Sequence, residues 1–257
     1  DDSCLYLPRP VLQTAQNSNI RDLQRVRKDA AAEKAKRRIN YIRAGKLEAY
    51  WKNLQKGLVD PEDLPMFGTV DLIQKVNCRP EEPLPYSVGV YRFADGAGLY
   101  FIVGMQGERD MEALLPLIES LGYSGIGGRR STGYGKFEPA EDPILIDRND
   151  WVYEDDAALY RLLHPTRSSR WMNISATLPQ REEIAVVSGG AYKLCMDSGF
   201  VFAPEIREVR KRDSLYMLAA GSCLPEKIEG RVAALVYDDY QHPIYRYGKG
   251  LFVGLPL

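Results

Sequence analysis

Two periods organise the hydrophobic positions of this chain. Met111, Leu114, Leu115, Ile118 and Leu121 recur every three or four residues, the spacing that lines one face of a helix. Residues 17–56 read the same way, with Leu23, Val26 and Ala30 on one side, an Ala/Lys/Arg run, and Ile39 and Ile42 resuming the apolar side. Short β-rich runs bounded by Gly and Pro predict strands. Residues 70–76 and 86–93, around a Pro-rich loop at 79–85, predict a protruding hairpin, and 98–105 (GLYFIVGM) predicts a further strand. In the second half, 157–163 predicts a short helix ended by Pro165. Strands are expected there at 172–178, 184–187, 191–195, 200–202, 215–219, 231–237 and 243–253. The whole reads as α+β in two units, 1–139 and 140–257, whose shared style without a strict repeat period suggests a remote duplication.

Between the helix at 111–121 and the extended piece beginning at Lys136 the apolar pattern lapses. There the chain runs Gly122-Tyr123-Ser124-Gly125-Ile126-Gly127-Gly128-Arg129-Arg130-Ser131-Thr132-Gly133-Tyr134-Gly135, with Gly122 in the place of a helix C-cap glycine. Glycine permits positive φ and close backbone approach. Successive peptide N–H groups in such turns form anion-binding concavities. With Arg129 and Arg130 beside them the expected guest is phosphate. The nucleotide-triphosphate loop does not fit, because Arg130 stands where its first glycine belongs and Phe137 where it needs a hydroxyl. The dinucleotide pattern fails as well, since Gly125-x-Gly127 is followed at the third place by Arg130. Both known loops run strand, loop, helix, whereas the order here is strand, helix, loop, strand, which argues for a polymer backbone as ligand. The plainer alternative is a tight helix-to-strand connection, but such connections are usually about two to six residues long.

Net charge is −1 over 257 residues, and it is unevenly spread. Residues 21–56 hold twelve Lys/Arg against four Asp/Glu, while 138–156 hold eight acids against Arg148. Such polarity fits separate partners for separate regions, and the acidic stretch is expected at a domain junction or contact surface. Lys75, Asn77 and Arg79 alternate toward the hairpin tip and so share one side of an extended backbone. Cys4, Cys78, Cys195 and Cys223 are scattered without a Cys-x-x-Cys pair, so neither a zinc site nor a disulfide scaffold is indicated, and a reduced cytoplasmic setting is expected. No apolar run approaches the roughly 18 residues of a membrane helix. The first residues lack an initiator Met and read like the inside of a domain, so preceding sequence is expected.

Catalysis would need a placed acid and base. His164, in Leu-Leu-His-Pro, reads as a helix-end residue, and His242, in Tyr-Gln-His-Pro-Ile-Tyr, as a structural or RNA-contact residue. Asp155-Asp156 and Asp238-Asp239 read as solvated turns. Neither a nucleophile motif nor a metal-ligand spacing is present, and no cofactor is expected.

Residues 125–138 resemble the glycine-rich loop of the RAMP proteins, the repeat-associated subunits of CRISPR effector complexes, and within them the Cas5-type subunit of the type III-A (Csm) complex. Supporting stretches are Leu5-Tyr6-Leu7-Pro8-Arg9-Pro10, Lys36-Arg37-Arg38-Ile39-Asn40-Tyr41-Ile42, Tyr91-Arg92-Phe93 through Phe101, Ala220-Gly221-Ser222 through Gly230, and His242 through Leu257. The resemblance implies two ferredoxin-like (RRM-like) domains in tandem, the first lacking the strand and helix that the family places before Asp1. It implies a non-catalytic subunit that grips the repeat-derived 5′ tag of the crRNA, joins the large signalling and nuclease subunit to the backbone RAMP subunits, and meets target RNA only indirectly, in antiviral defence. Tag phosphates would be met by Gly125, Ile126, Gly127, Gly128, Arg129, Arg130, Ser131, Thr132 and Gly133. Further RNA contacts are implied at Lys36, Arg37, Arg38, Lys75, Asn77, Arg79, Tyr192, Lys193, Gly221, Ser222, His242 and Lys249. Where the family often carries an arginine after Tyr192-Lys193-Leu194, this chain has Asp197. Two alternatives stay open: a RAMP endoribonuclease processing CRISPR precursor RNA through His242 or His164, and an α+β protein binding a small phosphorylated ligand.

Overall fold

The computed structural model describes residues 4–11, 39–55, 66–78, 82–105, 107–149, 151–201, 210–235 and 243–256. In chain order these hold β1 (Tyr6–Pro8), β2 (Tyr41–Arg43), a 3-10 turn (Ala44–Lys46), α1 (Leu47–Gln55), β3 (Gly68–Asn77), β4 (Leu84–Phe93) and α2 (Glu108–Ser124). A second 3-10 turn (Arg130–Thr132), α3 (Glu154–Leu163), β5 (Arg170–Asn173), α4 (Ile184–Ser188), β6 (Leu194–Asp197), β7 (Phe200–Val201) and β8 (Arg210–Lys211) follow. The chain closes with β9 (Leu215–Leu218), β10 (Cys223–Leu224), β11 (Ala233–Leu235), β12 (Ile244–Arg246) and β13 (Phe252–Leu255). The fold is mixed α+β with several antiparallel sheets, as the pattern of elements implied. Its contacts divide it into two units, one of residues 1–64 with 146–257 and one of 65–145.

The first unit owns the buried core. Its sheet runs β10-β5-β13, antiparallel throughout, with Met172 facing Val253 and Cys223 across the ladders. All four residues of β13 are buried, which is why its Phe-Val-Gly-Leu carries no polar position. Leu224, Leu218, Phe252, Val187 and Ile228 form one buried cluster, and Leu178, Met217 and Ala233 another. Each Leu, Val, Ile, Phe or Met among them contributes about 1.5–3 kcal/mol by leaving water. The N-terminal residues belong to this same core. Leu7 and Ile42 pair across β1 and β2, both buried, and the buried Trp51 ring donates from Nε1 to the Pro256 carbonyl at 3.0 Å.

Asp155 does the joining, and its place corrects the reading of Asp155-Asp156 as a solvated turn. Both carboxylates are buried, at 0% and 2% exposure. Asp155 accepts from the Leu5 N–H (2.9 Å), the Gly45 N–H (3.1 Å) and Arg43 Nε (2.9 Å), and the hydrogen bond to Asp155 raises the Arg43 pKa above its usual value. Asp156 accepts from the Val152 and Tyr153 N–H groups at the start of α3, where unpaired donors and the helix dipole favour a carboxylate.

Several expected elements differ. The helix read over 17–56 falls partly on residues 12–38, which lie outside the described residues, and of 39–46 only Ala44–Lys46 is helical, as a single 3-10 turn. Ile42 is drawn into a ladder by Leu7, and α1 begins only at Leu47. The strand expected at 184–187 is the short helix α4, since no neighbouring strand offers it a ladder among the described residues. Residues 98–105 make no strand for the same reason, and Leu99 and Phe101 are exposed. The strand over 172–178 ends at Asn173 and returns only as a Thr177–Leu218 bridge, and that over 243–253 is split into β12 and β13 at Gly248-Lys249-Gly250.

The second unit is a long antiparallel hairpin of β3 and β4, in register from Gly68↔Phe93 to Asn77↔Leu84, followed by α2 and the glycine-rich loop. Alternation gives the hairpin two faces. Val70, Leu72, Val76, Tyr91 and Phe93 share one face and are exposed. Ile73, Lys75, Val88 and Val90 lie on the other and are half-buried.

Candidate nucleic-acid interface

α2 runs three residues past the expected stop at Gly122 and ends at Gly125, whose N–H returns to the Leu121 carbonyl at 2.7 Å with φ +78°. Gly122 has another duty. A Cβ there would lie 2.5 Å from the Phe137 carbonyl oxygen, so its glycine lets the outgoing strand-like segment close against the helix end, where the Phe137 N–H meets the Gly122 carbonyl. The loop base is pinned by the Ile126 N–H on the Gly135 carbonyl at 2.9 Å, and a Cβ on Gly135 would collide with the Ile126 carbonyl.

The tip is built differently. The Arg129 carbonyl gathers the Thr132 N–H (3.0 Å), the Tyr134 N–H (3.4 Å) and the Thr132 hydroxyl (2.9 Å), folding residues 129–134 into a tight turn. Arg129 holds φ +56°, the one positive φ outside glycine among the described residues. A residue with a Cβ there carries strain that glycine would avoid. The N–H groups of Gly127, Gly128 and Arg129 take no hydrogen bond among the described residues, and the exposed Arg130 guanidinium has no partner among them. Above Gly127, Gly128 and Gly133 an added Cβ would meet nothing within 4 Å. The loop is therefore narrow at its base and open at its tip, with three consecutive donors and two guanidinium groups.

The hairpin presents Lys75 to this loop. Its Nζ lies 4.8 Å over the Tyr134 ring, while Arg129 stands 5.1 Å from the Tyr86 ring centroid and donates to the Tyr86 hydroxyl at 3.3 Å. Tyr86 and Tyr134 were not singled out by sequence. The signal was the hairpin register, which sets Tyr86 opposite Lys75. Asn77 is exposed two residues beyond Lys75, and Ile126, Ser131, Thr132 and Gly133 are exposed along the loop, whereas Gly125 is buried. Arg79, Lys36, Arg37, Arg38 and His242 lie outside the described residues.

In the other unit, Tyr192 and Lys193 are exposed and Gly221 and Ser222 are buried beneath them. Ser222 Oγ accepts from the Lys193 N–H at 3.3 Å and donates to the Ala219 carbonyl at 2.6 Å, bracing the backbone that carries Tyr192 and Lys193, while the Gly221 N–H donates to the Asn173 carbonyl and its own carbonyl accepts from the Val11 N–H. Lys249 is held 2.6 Å from Glu229, whose hydrogen bond raises the lysine pKa while its own is lowered. His164 ends α3, stacked on Tyr160 at 4.6 Å. Burial pushes the Cys223 thiol up to about 12, which leaves it unreactive at neutral pH. Among the described residues no three His, Cys, Asp or Glu side chains cluster to hold a metal, and no helix is long and apolar enough to cross a membrane.

Residues 166–255, which hold β5 through β13, match the family model of the CRISPR Csm4 C-terminal domain. The chain belongs to the Cas5-like RAMP subunits of the type III-A Csm4 family. It is 26% identical over 253 residues to the CRISPR system Cms protein Csm4 of Streptococcus thermophilus, covering 97% of this chain and 76% of that protein. Csm4 of Mycobacterium tuberculosis (strain ATCC 25618 / H37Rv) is 31% identical over 175 residues, 67% of this chain, which spans about half (52%) of that relative. The fold is shared with Csm4 solved in a Csm3–Csm4 subcomplex of the type III-A interference complex, with a TM-score of 0.58 and 14% identity over 99% of this chain and 80% of that one. A Csm1–Csm4 cassette in complex with pppApA gives a TM-score of 0.54 at 17% identity, over 100% of this chain and 76% of the other.

Proposed function

We propose that this chain is the non-catalytic RNA-gripping subunit of a type III-A Csm complex. In this reading its glycine loop holds the 5′ tag of the crRNA, and the subunit joins the large signalling and nuclease subunit to the backbone RAMP subunits in the cytoplasm, meeting target RNA only through the guide. Two ferredoxin-like domains in tandem go with that reading. The observation that carries the RNA contact is the row of unpaired N–H donors at Gly127, Gly128 and Arg129 beside Arg129 and Arg130. A phosphodiester offers acceptors only, and such a row of donors with fixed positive charge complements it along a backbone instead of at one terminal group. Csm4 solved with Csm3 and with Csm1 supports the assembly role. A binding role asks for no acid–base pair, and His164, packed on Tyr160 at a helix end, has the surroundings of a structural residue.

The test is native purification from the source cell followed by sequencing of the bound nucleic acid from its 5′ end. One population of RNAs with a common 5′ sequence, co-purifying with larger Csm proteins, is the expected result. RNA with no common end, or a small phosphorylated molecule in its place, would overturn the reading.

A further inference from the structure

Among the described residues β6 is paired on one side only, by β9. On the far flank of β9, Leu218 exchanges both of its backbone hydrogen bonds with Thr177, at 2.8 and 3.0 Å, whereas the Ala219 N–H turns to the Lys193 carbonyl at 2.8 Å. Successive residues of a strand send their N–H and C=O groups to opposite sides, and the register runs from Leu194↔Leu218 to Asp197↔Leu215. Lys193, Cys195 and Asp197 therefore bond inward to β9, while Tyr192, Leu194 and Met196 aim their backbone groups outward. Those outward groups take no hydrogen bond among the described residues.

The side chains of this edge are as open as its backbone. Leu194 and Met196 are 59% and 57% exposed, and Tyr192 and Tyr216, the latter opposite Met196, are exposed beside them. Cys195, on the other face, packs half-buried against the Leu178 cluster. Natural edge strands are usually blunted by charge, by proline or by a covering element. Here no proline interrupts 192–197, Asp197 is neutralised by Arg246, and Lys193 lies on the face opposite Leu194 and Met196. Lys193 is exposed and has no carboxylate partner among the described residues.

We propose that β6 takes an added strand from another protein subunit of the assembly: an extended segment with apolar residues at alternate positions and an Asp or Glu where it faces Lys193. This rests on the assembly reading above and names a surface for it. Strand addition draws affinity from main-chain hydrogen bonds and specificity from alternate side chains. RNA fits this edge less well, because phosphates offer acceptors only and half of the open backbone groups are themselves acceptors. A second copy of the chain also fits less well. Antiparallel self-pairing about Leu194 would set Lys193 against Cys195 and leave the lysine without an acid.

The experiment measures amide exchange at residues 192–197 in the isolated chain and in the natively purified complex. In the isolated chain the outward amides of Leu194 and Met196 should exchange fast, with the inward Cys195 amide slower. In the complex the outward amides should slow by about a hundredfold or more, as amides do when they enter a stable ladder. Leu194→Lys, Met196→Lys and Lys193→Glu should each weaken assembly by on the order of tenfold, and Lys193→Arg should assemble like the parent. Replacing Leu194 by its α-hydroxy acid deletes the N–H and keeps the side chain, and should weaken assembly as well. Parent-like assembly of that ester variant would mean that side chains alone make the contact, and would overturn the added strand. So would outward amides that stay fast in the intact complex, which is read on the parent chain whether or not the variants fold. Slow outward amides in an isolated chain that sediments as a dimer would assign the edge to a second copy. Slowing by a single-stranded oligoribonucleotide alone would return Tyr192 and Lys193 to RNA, and either result overturns the proposal. A chain that co-purifies with no Csm protein would overturn the assembly reading itself, and the added strand with it.

Discussion

At the scale of single residues, Gly128 separates two meanings of glycine. Gly135 and Gly122 are closure glycines, each with a backbone carbonyl where a Cβ would go. Gly128 has open space above it and no positive φ. No described residue requires glycine there, and in the proposed reading the position is left open for a ligand backbone. Gly128→Ala should fold as well as the parent, or be more stable by about 0.4–1 kcal/mol from the smaller entropy of its unfolded chain. RNA affinity should nonetheless drop. Arg129→Ala with Arg130→Ala should weaken binding too, and lower the salt slope by about 0.7 for each phosphate no longer neutralised. Melting curves beside titrations at several salt concentrations measure both effects. Parent-like affinity in Gly128→Ala would mean that no backbone approaches the tip.

Elements differ in how far their own residues determine them, and this decides what could be read in advance. β3, β4 and α2 were legible because each rests on local order: period-two alternation around a Pro-rich turn, and apolar residues every third or fourth place. The glycine loop was legible for its composition. Asp155 was not, because its partners Leu5, Arg43 and Gly45 lie 110 to 150 residues earlier in the chain. β2 was masked likewise, since Ile39 and Ile42 fit a helix face until Leu7 claims Ile42 as a strand partner. The tyrosine pair needed the hairpin register, which depends on turn length and not on spacing within either strand. At this scale Asp155→Ala is the informative change. It strips two backbone donors and the half-buried Arg43 of their shared acceptor, and should destabilise the first unit by about 3 kcal/mol. Asp155→Asn, which keeps an acceptor oxygen, should cost less. Urea unfolding measures both, and a destabilisation under about 0.5 kcal/mol for the alanine variant would show that the N-terminal strands are held by Leu7, Ile42 and Trp51 without it.

The distribution of burial over the whole molecule sets its dynamics. Every buried hydrophobic side chain among the described residues lies in the unit of residues 1–64 and 146–257, where β5, β10 and β13 are sealed by Phe252, Val253, Leu255 and Leu224. The unit of 65–145 has a ten-pair ladder with Val70, Leu72 and Phe93 left in solvent on its uncharged face. Backbone hydrogen bonds without buried apolar contacts open at little free-energy cost. In hydrogen exchange on the isolated chain, amides of β5 and β13 should be the slowest, and those of β3 and β4 should exchange about a hundredfold faster or more. Single-stranded RNA should then slow residues 126–134 together with the strand ends near Lys75 and Tyr86, because ligand and hairpin share the Arg129 and Tyr134 contacts. The amides around Val70 and Leu72, on the far side of the ladder and nearer its base, should stay fast. Protection of β3 and β4 equal to that of β13 before any RNA is added would mean that the uncharged face is already covered, and the hairpin would then be a fixed wall of the RNA site instead of a part that tightens on its ligand.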